Sequence, residues 1–178
     1  MSEHLLDGVP VLRLESCDPK KTGLTLAAYL PARALRKAAK RLLDKRYHLE
    51  DVCALDVAEG YIAVYHFDHF ETPGRVCLKV LVDKADPKIP TISDIFSGAV
   101  WHERETQDFT GLVFEGLMNP TPLLLPADAD FHPLRKADKA LKKAADLIEP
   151  GTVLYEDPGF TLFAAPEAEA APEKEQKA

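Results

Sequence analysis

What this sequence lacks narrows its chemistry first. It has no GxGxxG and no GxxxxGK[ST], so no glycine-rich turn stands ready to cradle nucleotide phosphates. No GxSxG elbow sets up a serine nucleophile. Cysteine is scarce: Cys17, Cys53 and Cys77 are an odd, widely spaced three without a CxxC, which excludes a four-cysteine iron–sulfur cluster and a disulfide scaffold. Such a set suits a reduced, cytosolic chain, with Cys53 and Cys77 expected as small core residues on strands. No apolar run approaches the roughly 18–20 residues of a membrane span. Any membrane contact is therefore expected to go through a partner. The opening "MSEHLLDGVPVLRLESCD" carries early acids and no basic segment ahead of a long apolar block, unlike a secretory leader. Excess positive charge is missing as well. The formal net charge is −7 and no Lys/Arg run could track phosphates, which argues against nucleic acid as a partner.

What is present reads as an ordinary folded domain. The 178 residues, 46% of them hydrophobic, suffice for one core without staples. "VPVLRLES" (Val9–Ser16) alternates as a short strand does. Pro31 suits the first turn of a helix through "PARALRKAAKRLLDKRY", where Leu35, Ala38, Ala39, Leu42 and Leu43 recur at three- and four-residue steps. The opposite face carries Arg33, Arg36, Lys37, Lys40 and Lys45, a solvated strip or a docking surface for an acidic partner. Three strand-like runs follow, "YHLEDVCALDV", "YIAVYHF" and "GRVCLKVLVD", with turn chemistry at Ala58–Gly60 and Glu71–Gly74. Such short loops imply antiparallel pairing. The expected fold is α+β: a mostly antiparallel sheet of about four strands with helices packed on it and an extended C-terminal segment.

Beyond "DPKIP", the stretch "TISDIFSGAVWHERETQDFTG" reads as helical, with Thr91 and Asp94 as a capping box and a break at Ser97–Gly98. The second helix is expected over Ala99–Phe109, with Gly111 ending it in a left-handed conformation. "GLMNPTPLLLPADADFHPLRK" is proline-punctuated and extended, a last helix is expected over Leu134–Ile148, and "TVLYEDPGF" adds a strand. Residues 1–164 make a single domain. Residues 165–178, "APEAEAAPEKEQKA", have no apolar stripe and are expected as a disordered acidic tail.

The densest chemistry is "WHERETQDFTG". It begins like a zincin, but Thr106 stands where HExxH needs its second histidine. In "YHFDH", a strand would turn His69 away from His66 and Asp68, a poor metal claw. Glu103 and Glu105, two apart on a helix, point about 200° from each other and cannot act on one substrate. Arg104 and Asp108 share a face, with Trp101 and Glu105 beside them. A charged ridge holding an indole is either helix-surface ion pairing or an anchor surface.

The order Glu103-Arg104-Glu105, Asp108, Gly111, Leu112, Phe114, Gly116 resembles the ERE-x-x-D-x-x-G-[ILV]-x-F-x-G signature of the 30 kDa subunit family of respiratory complex I, also called the C subunit of NADH-quinone oxidoreductase. "GAVWHERE" around Trp101, "LLLP", and "HPLRK" with Pro133, Leu134, Arg135 and Lys136 extend the resemblance over roughly residues 47–136. Thr110, Leu117, Met118, Thr121, Pro122 and Ala137 depart from the pattern and give weight to the equivalent subunit of an energy-converting [NiFe] hydrogenase. The resemblance implies a cofactor-free architectural subunit of the hydrophilic arm. Its implied partners are a large subunit related to [NiFe]-hydrogenase large subunits and a small iron–sulfur subunit. It further implies a peripheral place on the cytoplasmic side of the cell membrane. On this reading Arg104 faces the partner, so Arg104→Glu spares folding and blocks assembly. Glu103 turns inward to hold backbone amides, on the sheet or in the loop after Gly111.

Overall fold

A computed structural model describes residues 5–148 and 151–163. The expected tail, and with it the domain boundary near residue 165, lies outside the described residues. The chain runs β1 (Arg13–Ser16), a one-turn α1 (Pro19–Thr22), β2 (Leu26–Pro31), a 3-10 turn (Ala32–Ala34) and α2 (Leu35–Asp44). It continues with β3 (Tyr47–Asp56), β4 (Gly60–His69), β5 (Val76–Asp83), β6 (Lys88–Pro90), α3 (Ala99–Thr110) and β7 (Val113–Glu115). A 3-10 turn (Asp138–Ala140), a one-turn α4 (Ala144–Leu147) and β8 (Thr152–Glu156) complete it.

The main sheet has six strands, not about four, in the order β3-β4-β5-β2-β1-β8. All its pairs are antiparallel except β2/β5, which is parallel with Leu26 opposite Val76. The shortfall came mainly from β2. "LAAYLP" shows no alternation because both its faces are covered, and its first five residues are all buried. Pro31 is therefore the last residue of β2 rather than the first turn of a helix, and α2 starts at Leu35. β1 is likewise shorter than Val9–Ser16.

Alternation along the strands sorts the side chains into two layers. On one face Leu26, Ala28, Leu30, Ala63, Tyr65, Phe67, Leu78 and Val80 share a core with Leu35, Ala38, Ala39 and Leu42 of α2. The same core takes in Ile89, Ile92, Ala99, Leu112 and Phe114. The other face holds a smaller cluster of Val57, Ile62, Val64, Cys77 and Ala144, with Leu162 and Phe163 against it. Cys77 is buried there, but Cys53 is exposed, because it sits on the edge strand β3 beyond that cover.

Two helical expectations fail for tertiary reasons. Thr91 does not make a capping box with Asp94. Its hydroxyl donates to the Glu103 carboxylate and accepts the N–H of Ser93, while Asp94 forms a bidentate pair with Arg36 at 2.7 Å. The basic strip on α2 is thus partly an internal clamp. The helix expected over Leu134–Ile148 is reduced to two short turns. Its backbone is drawn instead to the β3–β4 corner, where Lys136 N–H donates to Asp56 (2.8 Å), Ala58 N–H to Lys142 O (2.9 Å) and Ala144 N–H to Glu59 (3.0 Å).

"YHFDH" is committed to its own hairpin. His66 Nδ1 lies 2.8 Å from Asp51, Asp68 accepts from the N–H groups of His69 and Gly74, and His69 Nδ1 accepts from that of Thr72.

Candidate functional site

Helix α3 buries an unusual stripe. Ala99, Glu103, Thr106 and Thr110, spaced by four, three and four residues, all point inward, and three of the four are polar. Hydropathy cannot reveal such a face. Each inward polar group is matched. Thr106 Oγ donates to Val52 O on β3 (3.4 Å), and Thr110 Oγ donates to Thr106 O (2.6 Å). Glu103, fully buried, accepts the N–H of Ile92 (2.8 Å) and the hydroxyl of Thr91. It therefore ties α3 to the segment leaving β6. That is the loop before the helix, whereas the sequence offered the sheet or the loop after Gly111.

The opposite stripe carries Trp101, Arg104, Glu105 and Asp108, as the spacing predicts, although Asp108 itself is buried beneath the chain that follows. Trp101 is 61% exposed, and the Arg104 guanidinium lies 5.6 Å from its ring centroid. Arg104 does not project free. It donates to Thr121 O (2.9 Å), Thr121 Oγ (3.1 Å) and Pro122 O (3.1 Å). Gln107 adds a bond to Pro120 O at 3.3 Å. Asp108 accepts three consecutive backbone N–H groups, those of Leu123 (2.7 Å), Leu124 (2.9 Å) and Leu125 (3.3 Å). Together these side chains bind the irregular strap over residues 120–125 to the helix. Glu105 makes no hydrogen bond or ion pair among the described residues.

The strap returns to cap the helix. The last carbonyls of an α-helix lack partners within it. Here Asp108 O accepts from His132 Nδ1–H (2.7 Å), Phe109 O from Leu134 N–H (2.9 Å) and Thr110 O from Arg135 Nε–H (2.8 Å). In this chain the remote segment "HPLRK" thus satisfies the C-terminus of the helix. Gly111 permits it, at φ 75 and with Arg135 and His132 packed where a side chain would stand. Gly116, at φ 84, turns the chain out of β7 after the buried Phe114, which pairs with Ile89 of β6. Pro133, Arg135 and Lys136 are solvent-exposed. Thr91, Thr106, Gln107, Thr110 and His132 were missed from the sequence. Of these only His132, adjacent to the quoted Pro133, carried a signal.

Lashed at both ends, the strap presents apolar side chains outward. Met118 is 81% exposed, Leu124 59%, Phe131 56% and Leu134 46%, alongside the indole of Trp101. No three His, Cys, Asp or Glu side chains among the described residues converge as a metal would require.

The two acids of the helix shift in opposite directions. Burial pushes the Asp108 carboxyl up, but the three strap N–H donors outweigh it and hold the group below its ordinary 3.8. Burial dominates at Glu103 and raises it above its ordinary 4.5 despite the bonds from Ile92 and Thr91. Asp108 therefore contributes stability that is present above 3.8 and is lost as pH falls through its depressed folded value. Glu103 works oppositely: its contribution is full below 4.5 and is lost as pH rises through the raised value. The amides of Leu123–Leu125 are expected to lose hydrogen-exchange protection, corrected for intrinsic rates, over a window that begins at 3.8 and runs downward through the depressed value. Unchanged protection across that window would contradict the assignment of Asp108 as their acceptor.

Residues 28–144 match the model of the family described as "Respiratory-chain NADH dehydrogenase, 30 Kd subunit". The C subunit of NADH-quinone oxidoreductase from Roseiflexus castenholzii (strain DSM 13941 / HLO8) is 41% identical over 97 residues, which are 52% of this chain and 56% of that one. The C/D subunit of NADH-quinone oxidoreductase from Nitrosospira multiformis is 38% identical over 113 residues, covering 64% of this chain but 18% of the relative. This chain spans about half the length of the curated C-type relatives it matches. Among solved structures, a chain of the membrane-bound sulfane sulfur reductase, an archaeal respiratory membrane complex, superposes with a TM-score of 0.58 at 24% identity. That match covers 68% of this chain and 74% of the other, a likeness of fold.

Proposed function

Because the chain belongs to the 30 kDa subunit family of respiratory-chain NADH dehydrogenase, we propose that it is a cofactor-free architectural subunit in the hydrophilic arm of a complex I-like NADH:quinone oxidoreductase. In this reading α3 and its strap dock the large subunit related to [NiFe]-hydrogenase large subunits, with the small iron–sulfur subunit nearby. The chain then reaches the cytoplasmic side of the membrane through these partners. No helix among the described residues is long and apolar enough to cross a membrane.

One observation carries the proposal. Trp101 on α3 and Met118, Leu124 and Phe131 on the segment hydrogen-bonded to that helix are exposed together. A free monomer gains nothing from fixing apolar side chains in water, whereas an interface gains a preorganised anchor. The relatives named as C/D subunits, far longer than the matched region, support a large neighbour closely associated with this domain. Relatives named for NADH-quinone oxidoreductase favour that complex over a hydrogenase.

The test is a pair of variants, Trp101→Glu and the double Leu124→Glu/Phe131→Glu. Exposed substitutions of this kind shift stability by about 0.5 kcal/mol or less, so both chains should melt close to wild type. Both are expected to lose co-purification with the large and iron–sulfur subunits from native membranes. Wild-type recovery of those subunits with either folded variant would refute the docking surface.

A further inference from the structure

The segment after the strap, the one that does not become a long helix, concentrates positive charge on this acidic chain. Between residues 135 and 143, Arg135, Lys136, Lys139, Lys142 and Lys143 stand against a single acid, Asp138. All five are exposed, and none forms an ion pair among the described residues. The three backbone bonds to the β3–β4 corner fix the segment in place. Between it and the edge strand β3 runs a groove of about 500 Å³. β3 contributes Leu55 to its walls and the segment contributes Leu134 and Leu147, each more than a third exposed. Lys136 and Lys142 line the same groove. Its one acid, Asp56, is already engaged: the side chain is only 2% exposed and holds Lys84 Nζ (3.0 Å) and Lys136 N–H (2.8 Å).

We infer that this groove is a further docking site, and that its occupant is an acidic polypeptide segment with large apolar side chains between its carboxylates. It is separate from the Trp101 face and stands whether or not that face docks a large subunit. Two properties set the chemistry. The lysines have no carboxylate of their own chain, so the occupant must bring the negative charge. The leucines leave apolar surface in water, and covering it takes an apolar side chain. Because the walls come from two separate elements, the groove takes an inserted side chain rather than a flat layer of lipid headgroups. Nucleic acid offers no such side chain, and the net charge of −7 opposes its approach.

The experiment titrates the full chain with an acetylated, amidated octapeptide, Leu-Phe flanked by three glutamates on each side, and follows backbone amide shifts. Saturable binding is expected at about 0.1–1 mM for so short a segment, with shifts centred on residues 54–56 and 134–142. Ser-Ser in place of Leu-Phe is expected to weaken it about tenfold or more, and lysines in place of the glutamates to abolish it. Raising the salt from about 0.1 M to about 1 M should also weaken it about tenfold, because the Debye length shrinks from about 10 Å to about 3 Å. Lys136→Glu/Lys142→Glu is expected to abolish binding while leaving the backbone bonds of both residues in place, with unshifted amides in β1 and β2 as the check on folding. Leu55→Ser removes an apolar wall without touching any charge and should weaken binding about fivefold or more. Absence of saturable shifts, equal binding of the Ser-Ser peptide, or shifts centred on α2 would each overturn the inference. So would a chain that ignores the peptide but binds vesicles of equal parts phosphatidylcholine and phosphatidylglycerol through Lys136 and Lys142, since the surface would then be a lipid contact.

Discussion

Gly111→Val is expected to be among the most damaging single substitutions in the chain, at about 3 kcal/mol or more. Two costs combine. At φ 75 a β-branched residue is held in the left-handed region, which alone is worth about 1–3 kcal/mol. Any side chain there also displaces Arg135 and His132, which pack against the space a Cβ would take. These two residues cap Thr110 O and Asp108 O, so at about 1 kcal/mol for each lost hydrogen bond the damage spreads to the strap. In a domain of this size the melting temperature should fall by about 6–12 °C. Gly98→Ala is the matched control. Gly98 has φ −62 and nothing within 4 Å of its would-be Cβ, so alanine should be neutral or slightly stabilising there. If Gly111→Val melts within about 2 °C of wild type, the strap does not depend on this turn.

Glu103→Ala is expected to cost about 3 kcal/mol. The carboxylate is fully buried and accepts from Ile92 N–H and the Thr91 hydroxyl. Thr91 can still donate to Ser93 Oγ, but Ile92 N–H would be left buried and unpaired beside a new cavity. Glu103→Gln keeps an acceptor and the volume, and should stay within about 1 kcal/mol of wild type at neutral pH. It should also abolish the share of the pH dependence that Glu103 contributes, since burial rather than a charge partner sets its shift. Thermal melts of the three proteins from pH 4 to pH 8 decide the matter. An alanine variant as stable as wild type would show that the buried carboxylate is not what joins α3 to the β6 segment.

Arg104 shows where reading the chain alone misled. Helical spacing correctly put it on one face with Trp101 and Asp108, and the type of residue suggested an interface contact. The tertiary structure spends its guanidinium on Thr121 and Pro122 of the same chain. Any effect of Arg104→Glu on assembly would therefore pass through the strap. The residues that remain free for a partner are the apolar ones beside it, which hydropathy alone would have sent to the core.

The sequence by itself determined the elements whose signals are local. The apolar stripe of α2, the β3–β4–β5 meander with its short turns, the break before Ala99 and the left-handed Gly111 are all set by periodicity and turn chemistry within a few residues. Tertiary structure decided what depends on distant partners. β2 is a strand because β1 and β5 flank it, although its own pattern has no period. The segment 134–148 has helical spacing, yet its backbone bonds go to the β3–β4 corner. The inward face of α3 is polar because Val52, Thr91 and Ile92 lie where its Thr and Glu side chains reach. A hydrogen bond between residues far apart in sequence leaves no periodic trace, so only the folded chain reveals which polar groups are structural and which apolar ones are offered outward.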